Sequence, residues 1–229
     1  FGPGFPGFDE DPFGRMPDVD IPTSDSDLFL RTYVDHKEVF IGEQVSMSVY
    51  VFSRVDLSSV DSVTFPRLEG FWSEDIDSPT QLSGEPRIIN GVPYRAYLLK
   101  RKALFPLKSG ELEIDPVEAD ITTGYLFAGH RVHRKGNRIT IKVKPLPKGA
   151  PPGFSATNVG RWQLRVEADP LDLKLGDPVT VKVTVEGRGN VKNLTVPKLE
   201  LPPSFKVYDP TTTDKVTTRK GHLDRKSVV

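Results

Sequence analysis

An all-β architecture is expected from this chain on three grounds. Apolar and polar residues alternate at period two, turn chemistry separates the alternating runs, and one pattern occurs twice. In 44–51, Val45, Met47, Val49 and Val51 share a face; Val179, Val181, Val183 and Val185 do so later. Ile139, Ile141 and Val143 alternate with Thr140, Lys142 and Lys144. Strict alternation puts every second side chain in a core and the others in water, the signature of a half-buried antiparallel strand. Asn90-Gly91, Lys108-Ser109-Gly110, Gly187-Arg188-Gly189-Asn190 and Lys220-Gly221 supply turns between runs. No long stretch follows the 3.6-residue period of a helix.

The repeat decides the organisation. Residues 34–45 (VDHKEVFIGEQV) align with 168–179 (ADPLDLKLGDPV) at an offset of 134. Residues 60–69 (VDSVTFPRLE) align with 191–200 (VKNLTVPKLE) at 131, Phe71 answers to Phe205, and Gly91-x-x-x-Arg95 answers to Gly221-x-x-x-Arg225 at 130. Constant order with slowly changing offsets is what loop length changes do to duplicated domains. Each copy enters on a strand, bends at a glycine suited to positive φ (Gly42, Gly176), and continues as an alternating strand. A later strand stops at a proline (Pro66, Pro197) that has no N–H for the ladder. Units of this size, with turns every ~8–12 residues, predict tandem immunoglobulin-like antiparallel β-sandwiches.

Taken in order, residues 1–27 carry four Gly, five Pro, four Phe and seven acids against Arg15 alone. That composition reads as a disordered Gly/Pro/Phe/Asp-rich linker, with a sticky segment docking through Phe1, Phe5, Phe8 and Phe13 as the runner-up. Residues 28–145 form the first sandwich and 146–160 a stiff Pro/Gly linker. Residues 161–229 form the second sandwich, which is incomplete: it lacks a counterpart of the expected hairpin Ala103–Asp115. Such a sandwich exposes an edge and part of its core, and is weakly ordered, covered by a neighbour, or completed in a strand-swapped homodimer.

Composition narrows the function. The 229 residues hold 31 basic and 31 acidic side chains, so there is no surplus of positive charge for nucleic acid or an anionic membrane surface. With no cysteine, a disulfide framework, a thiolate nucleophile and a Cys-ligated metal are excluded. The chain starts at Phe1 with no signal-peptide pattern, and no apolar run spans a bilayer. The expectation is an interior piece of a longer protein.

The motif Asp35-x-x-x-Val39-x-x-Gly42-Glu43-x-Val45, Gly70-Phe71-Trp72, Ile89–Arg95, Ala103–Pro116, Val185–Asn190 and Lys198–Pro210 together resemble the BatD family, the oxygen-tolerance or aerotolerance family. The resemblance covers 28–229, and the Phe/Asp/Pro-rich stretch ahead of it is also similar. It implies an extracytoplasmic, periplasmic protein, membrane-anchored through segments outside these residues and built of tandem immunoglobulin-like domains. It implies partners of the von Willebrand A type and, indirectly, a MoxR-type AAA+ ATPase. It carries no catalytic residues and no cofactor.

Candidate chemistry is sparse, and no enzyme is expected. His130 and His133, three apart on a strand, point to opposite faces, so they do not share a metal easily. Glu74-Asp75-Ile76-Asp77 follows Phe71-Trp72. These acids lack the desolvated, opposed geometry of an acid/base pair. They suit partner binding better: a von Willebrand A domain takes an exposed carboxylate through its metal, and Asp75 or Asp77 beside an anchoring Trp72, with Glu74, is the candidate set. No G-x-S-x-G is present. Trp72, Trp162 and Tyr125-Leu126-Phe127 offer an aromatic platform for sugars, the basis of an alternative carbohydrate-binding reading, or pack at a domain junction.

Overall fold

The alternating runs form strands in the computed structural model, which describes residues 21–124, 129–190, 194–195, 201–219 and 222–228. In the first half these are β1 (Leu28–Val34), β2 (Glu38–Phe40), β3 (Val45–Ser53), β4 (Leu57–Thr64), β5 (Phe71–Asp77), β6 (Gly84–Ile89), β7 (Val92–Pro106), β8 (Gly110–Ile114), β9 (Glu118–Thr123), β10 (His130–Lys135) and β11 (Ile139–Lys144). A 3-10 turn, Ala156–Asn158, precedes β12 (Gly160–Asp169), β13 (Thr180–Gly189), β14 (Thr213–Arg219) and β15 (His222–Val228). The chain is all-β, with open sheets whose pairings are antiparallel except for the short parallel pair β2–β11.

Two layers hold the first unit together. The large sheet runs β1-β3-β7-β5, with β6 on the same side of β7 as β5; the facing sheets are β10-β9-β4 and β2-β11-β8. Val45, Met47, Val49 and Leu104 of the large sheet pack with Leu112, Ile114, Ile139, Ile141 and Val143 of the facing layer. Leu28, Leu30, Val51 and Tyr97 pack with Ala119 and Ile121. The β11 alternation is obeyed residue by residue, its three aliphatics buried and its polar residues exposed.

Three local expectations need correction. The strand from Val45 is buried along all nine residues, on both faces. Period two showed which side chains face the core but not that Ser46, Ser48, Tyr50 and Phe52 would be covered too. The segment Ala103–Asp115 is not a hairpin, because β7 pairs with β5 and β3 whereas β8 pairs with β11. The Lys108-Ser109-Gly110 turn carries the chain from one layer to the other, and Leu104 and Leu112 then meet in the core between them. Finally, Gly187-Arg188-Gly189 is strand, paired with Trp162, Arg161 and Gly160. Its glycines make space rather than a turn: a Cβ on Gly189 would stand 2.8 Å from Cζ2 of Trp162.

The repeat is reproduced in the pairing. Leu30 lies opposite Val51 in β1–β3, and Leu164 opposite Val185 in β12–β13, both shifted by 134. Val51 faces Tyr97 where Val185 faces Ser227, and Ile89 faces Val92 where Arg219 faces His222. Because a one-residue slip exchanges the two faces of a strand, matched register means matched faces. The four strands β1, β3, β7 and β6 thus recur as the sheet β12-β13-β15-β14. The G-E and G-D motifs recur for a reason of their own. Gly42 and Gly176 adopt φ of +79° and +95°. The acid after each accepts the amide three residues back, Glu43 from Phe40 at 2.9 Å and Asp177 from Lys174 at 2.8 Å. The motif is a self-capped turn.

The layers differ between the copies. Leu30 is fully buried, whereas Leu164, its equivalent, is 56% exposed. Val183 and Val185 are buried beside it, while Val166, Leu171 and Leu175 stand in solvent. Several expectations fall outside the described residues: the linker up to residue 20, most of the second strand match at 191–200, the Lys220-Gly221 turn and Tyr125-Leu126-Phe127.

Candidate functional site

The acidic run forms β5, a strand bonded on one side to β7 with Trp72 opposite Phe105 and Asp75 opposite Lys102. Alternation divides the candidates between two faces. Phe71 faces the sandwich core, whereas Trp72 turns outward onto Ala103 and Phe105, its ring centroid 5.2 Å from that of Phe105. Ile76 and Trp162 complete the outward cluster. Trp162 belongs to β12, so this is where the second unit rests on the first. Its indole Nε1 donates to the carbonyl of Asn158 at 3.0 Å, fixing the ring. The two tryptophans thus share a junction and do not form an exposed platform.

Asp75 lies on the other face, away from Trp72. Its carboxylate bridges two ammonium groups, Lys100 Nζ at 2.9 Å and Lys102 Nζ at 2.5 Å. Partial burial alone would raise its pKa, but the hydrogen bonds from Lys102 and Lys100 outweigh that and hold the carboxyl below its ordinary range. Lys100 also stands 5.3 Å from the ring centroid of Phe65. Glu74 is partly buried on the outward side, and Asp77 is exposed opposite Arg101. The structure therefore separates the four predicted residues: Trp72 serves the junction, Glu74 is partly buried on the same side, Asp75 is tied to lysines, and Asp77 is exposed. The lysines were legible as a basic run, Lys100-Arg101-Lys102, matching the acidic one; only the register showed which acid takes which base.

A second charged array, unforeseen in the sequence, covers the outer side of β10-β9-β4. His133 Nδ1 lies 2.9 Å from Asp120, whose other oxygen accepts from Arg131 and Ser62, each at 3.0 Å. Asp61 accepts from Thr122 at 2.7 Å and Lys135 pairs with Glu118 at 2.8 Å. The signal was there in two interleaved patterns, Glu118-x-Asp120 and Arg131-x-His133-x-Lys135, which the β9–β10 register sets side by side. His130 pairs opposite Thr123 and stands apart from this array. Among the described residues, no group of three or more His, Cys, Asp or Glu is placed to hold a metal ion, and no helix is long and apolar enough to cross a membrane.

Hydrogen bonds from His133, Arg131 and Ser62 pull the pKa of Asp120 down to about 2 from the ordinary 3.8. A carboxyl depressed in the folded state stabilises that state fully above the unfolded value, and the contribution fades as pH falls through the folded one. Stability is therefore expected to drop between about pH 4 and pH 2, and Asp120→Asn is expected to flatten that part of the profile. Denaturant midpoints measured across the window check this; equal slopes in both proteins would refute it.

A depression of about 380 Å³ lies between Arg67, Glu69, Lys108, Glu111 and Leu112. Charges of both signs rim it. Neither a known protein-family model nor a curated protein matches this chain.

Proposed function

We infer that the chain is a non-catalytic interaction module of tandem immunoglobulin-like units, working by presenting sheet edges and faces to protein partners. The observation that carries this reading is the second sheet, whose face on the side of Val183 and Val185 keeps Leu164 and Val166 in solvent at 56% and 53% exposure. Contiguous apolar surface of this kind marks an interaction site. Strand β5 adds an edge rich in acids, and sandwich edges take partners by strand addition and by loop side chains.

The resemblance of the motifs to BatD proteins gives the partner class: a von Willebrand A-type protein in an extracytoplasmic, membrane-anchored aerotolerance system linked to a MoxR-type ATPase. Within it, Asp77 is the carboxylate best placed to reach a partner's metal, since Asp75 is held by two lysines. A purified von Willebrand A-type protein from the same membrane system is expected to bind the chain in a Mg²⁺-dependent way, and Asp77→Ala is expected to weaken that binding about tenfold, the loss of one charge-assisted contact. Binding unchanged by Asp77→Ala and by chelation would remove the metal-bridged mode. The absence of any binding would remove the partner class.

A further inference from the structure

The two copies of the duplicated sheet treat their first edge differently. Strand β12 ends the order β12-β13-β15-β14, as its equivalent β1 ends β1-β3-β7-β5. On such a strand, alternate residues turn their backbone N–H and C=O away from the sheet, where a further strand would bond. Along β1 those groups are occupied. The Thr32 amide donates to Oδ1 of Asn137 at 2.8 Å, and Asn137 Nδ2 donates to the Thr32 carbonyl at 3.1 Å. Arg134 Nε donates to the carbonyl of Leu28 at 2.9 Å. Gly136 lies against Leu30, where an added Cβ would stand 3.5 Å from that of the leucine. The end of β10 and the residues after it therefore seal the edge of β1.

The edge of β12 carries no such seal. A Cβ on Gly187 would meet the Arg161 carbonyl, so that group points into the sheet. By alternation, the backbone groups of Trp162, Leu164, Val166 and Ala168 point out of it. Among the described residues, none of these outward groups has a hydrogen-bond partner. The strand also lacks the usual defences of an exposed edge. It runs ten residues without proline, and its pairing with β13 is unbroken by a bulge. Every residue but Trp162 is exposed. A long, flat, partly apolar edge of this kind is a template for another strand.

Its side chains say which strand. Arg165 and Glu167 share one face, and Leu164, Val166 and Ala168 share the other. Toward β13, Arg165 faces Thr184 and Glu167 faces Lys182. Neither forms an ion pair among the described residues. Turned end for end about an axis through Val166, the strand meets its own copy with Arg165 opposite Glu167, twice over. Val166 then lies opposite Val166, and Leu164 opposite Ala168. All of these apolar positions are ones whose backbone groups point outward, so each opposed pair exchanges N–H···O=C bonds. An axis through Arg165 would instead set two guanidinium groups opposite each other, which is destabilising.

We propose that β12 pairs antiparallel with β12 of a second copy of this chain, on a two-fold axis through Val166, joining two four-stranded sheets into one. Backbone bonds fill the unpaired edge, the two Arg165–Glu167 pairs fix the register, and Leu164 and Val166 of both copies line up on one face. The inference rests on the reading of this sheet as an interaction surface and names its occupant. The metal-bridged contact at Asp77 is separate from it.

Pairing along one edge buries less than the ~1,200 Å² at the lower end of standard interfaces, so the dimer is weak. In sedimentation of the full chain, the average mass is expected to rise toward that of two chains between about 10 and 500 μM. Arg165→Glu and Glu167→Arg each set like charges opposite each other, and each is expected to weaken association about tenfold or more. Mixing the two variants restores opposite charges at both positions and is expected to restore the dimer. The chain has no cysteine, so Val166→Cys places a single thiol on the axis. Its Cα atoms would lie about 5.5 Å apart, within disulfide range, and cross-linking on oxidation is expected there but not for Leu164→Cys. A monomer at every concentration would overturn self-pairing and leave the partner reading to its own binding test. Single reversals that leave the dimer intact, a mixture that stays monomeric, or faster cross-linking at Leu164→Cys would overturn it as well.

Discussion

Leu30→Ala is expected to lower the stability of the first unit by about 3 kcal/mol, and Leu164→Ala to change that of the second by less than about 1 kcal/mol. The two leucines occupy one position of the duplicated sheet, opposite Val51 and Val185. Leu30 is fully buried between layers and packs with Val51, Ala119 and Ile121. Truncating it removes favourable transfer from water and leaves a cavity the rigid neighbours cannot close. Leu164 is 56% exposed, so little is transferred and no cavity forms. Urea unfolding of both variants, followed by exchange of strand amides to separate the units, gives the comparison. Equal losses would mean that a second layer covers Leu164 in solution, and the open-face reading would fall.

Trp162→Ala should have the next largest effect, about 2 kcal/mol, below the range for a fully enclosed tryptophan because this ring is only partly buried. It acts at the junction of the units, where Trp162 lies over Ala103 and Phe105 alongside Trp72 and Ile76. Removing it also frees the Asn158 carbonyl. The variant keeps a single tryptophan, Trp72, whose emission then reports the junction: a shift to the red is expected as water reaches the ring. Trypsin should also cut faster at Lys148, in the stretch joining the units. Trp162→Phe restores apolar cover without the indole N–H, and is expected to recover most of the loss. Unchanged Trp72 emission in the alanine variant would show that the ring does not shield it.

Much of the fold could be read from residue order. Alternation placed Ile139, Ile141 and Val143 on the core side, and the Asn90-Gly91 pair marked the β6–β7 hairpin, where both residues take positive φ. The duplication was legible because each copy keeps its self-capped glycine turn. Burial of the second face of β3 was not legible, since Tyr50 and Phe52 in an alternating strand look the same whether covered or bare. The layer change at Lys108–Gly110 was likewise hidden, because turn residues mark where a chain bends and not which strand it next joins. Of the candidate site, the acids and Trp72 were visible, but their division between two faces and the double lysine clamp on Asp75 depend on register with β7.

Local rules therefore determined that this chain makes strands, where they begin and that the set is made twice, because hydrogen-bond period, proline and glycine act over a few neighbouring residues. Tertiary structure alone decided which faces are covered, why Leu30 is buried while Leu164 is bare, and why one copy of the sheet buries aromatic rings on its second face where the other exposes charges. Burial is a property of what lies about 10 Å away across a layer. A residue's neighbours along the chain hold no record of it.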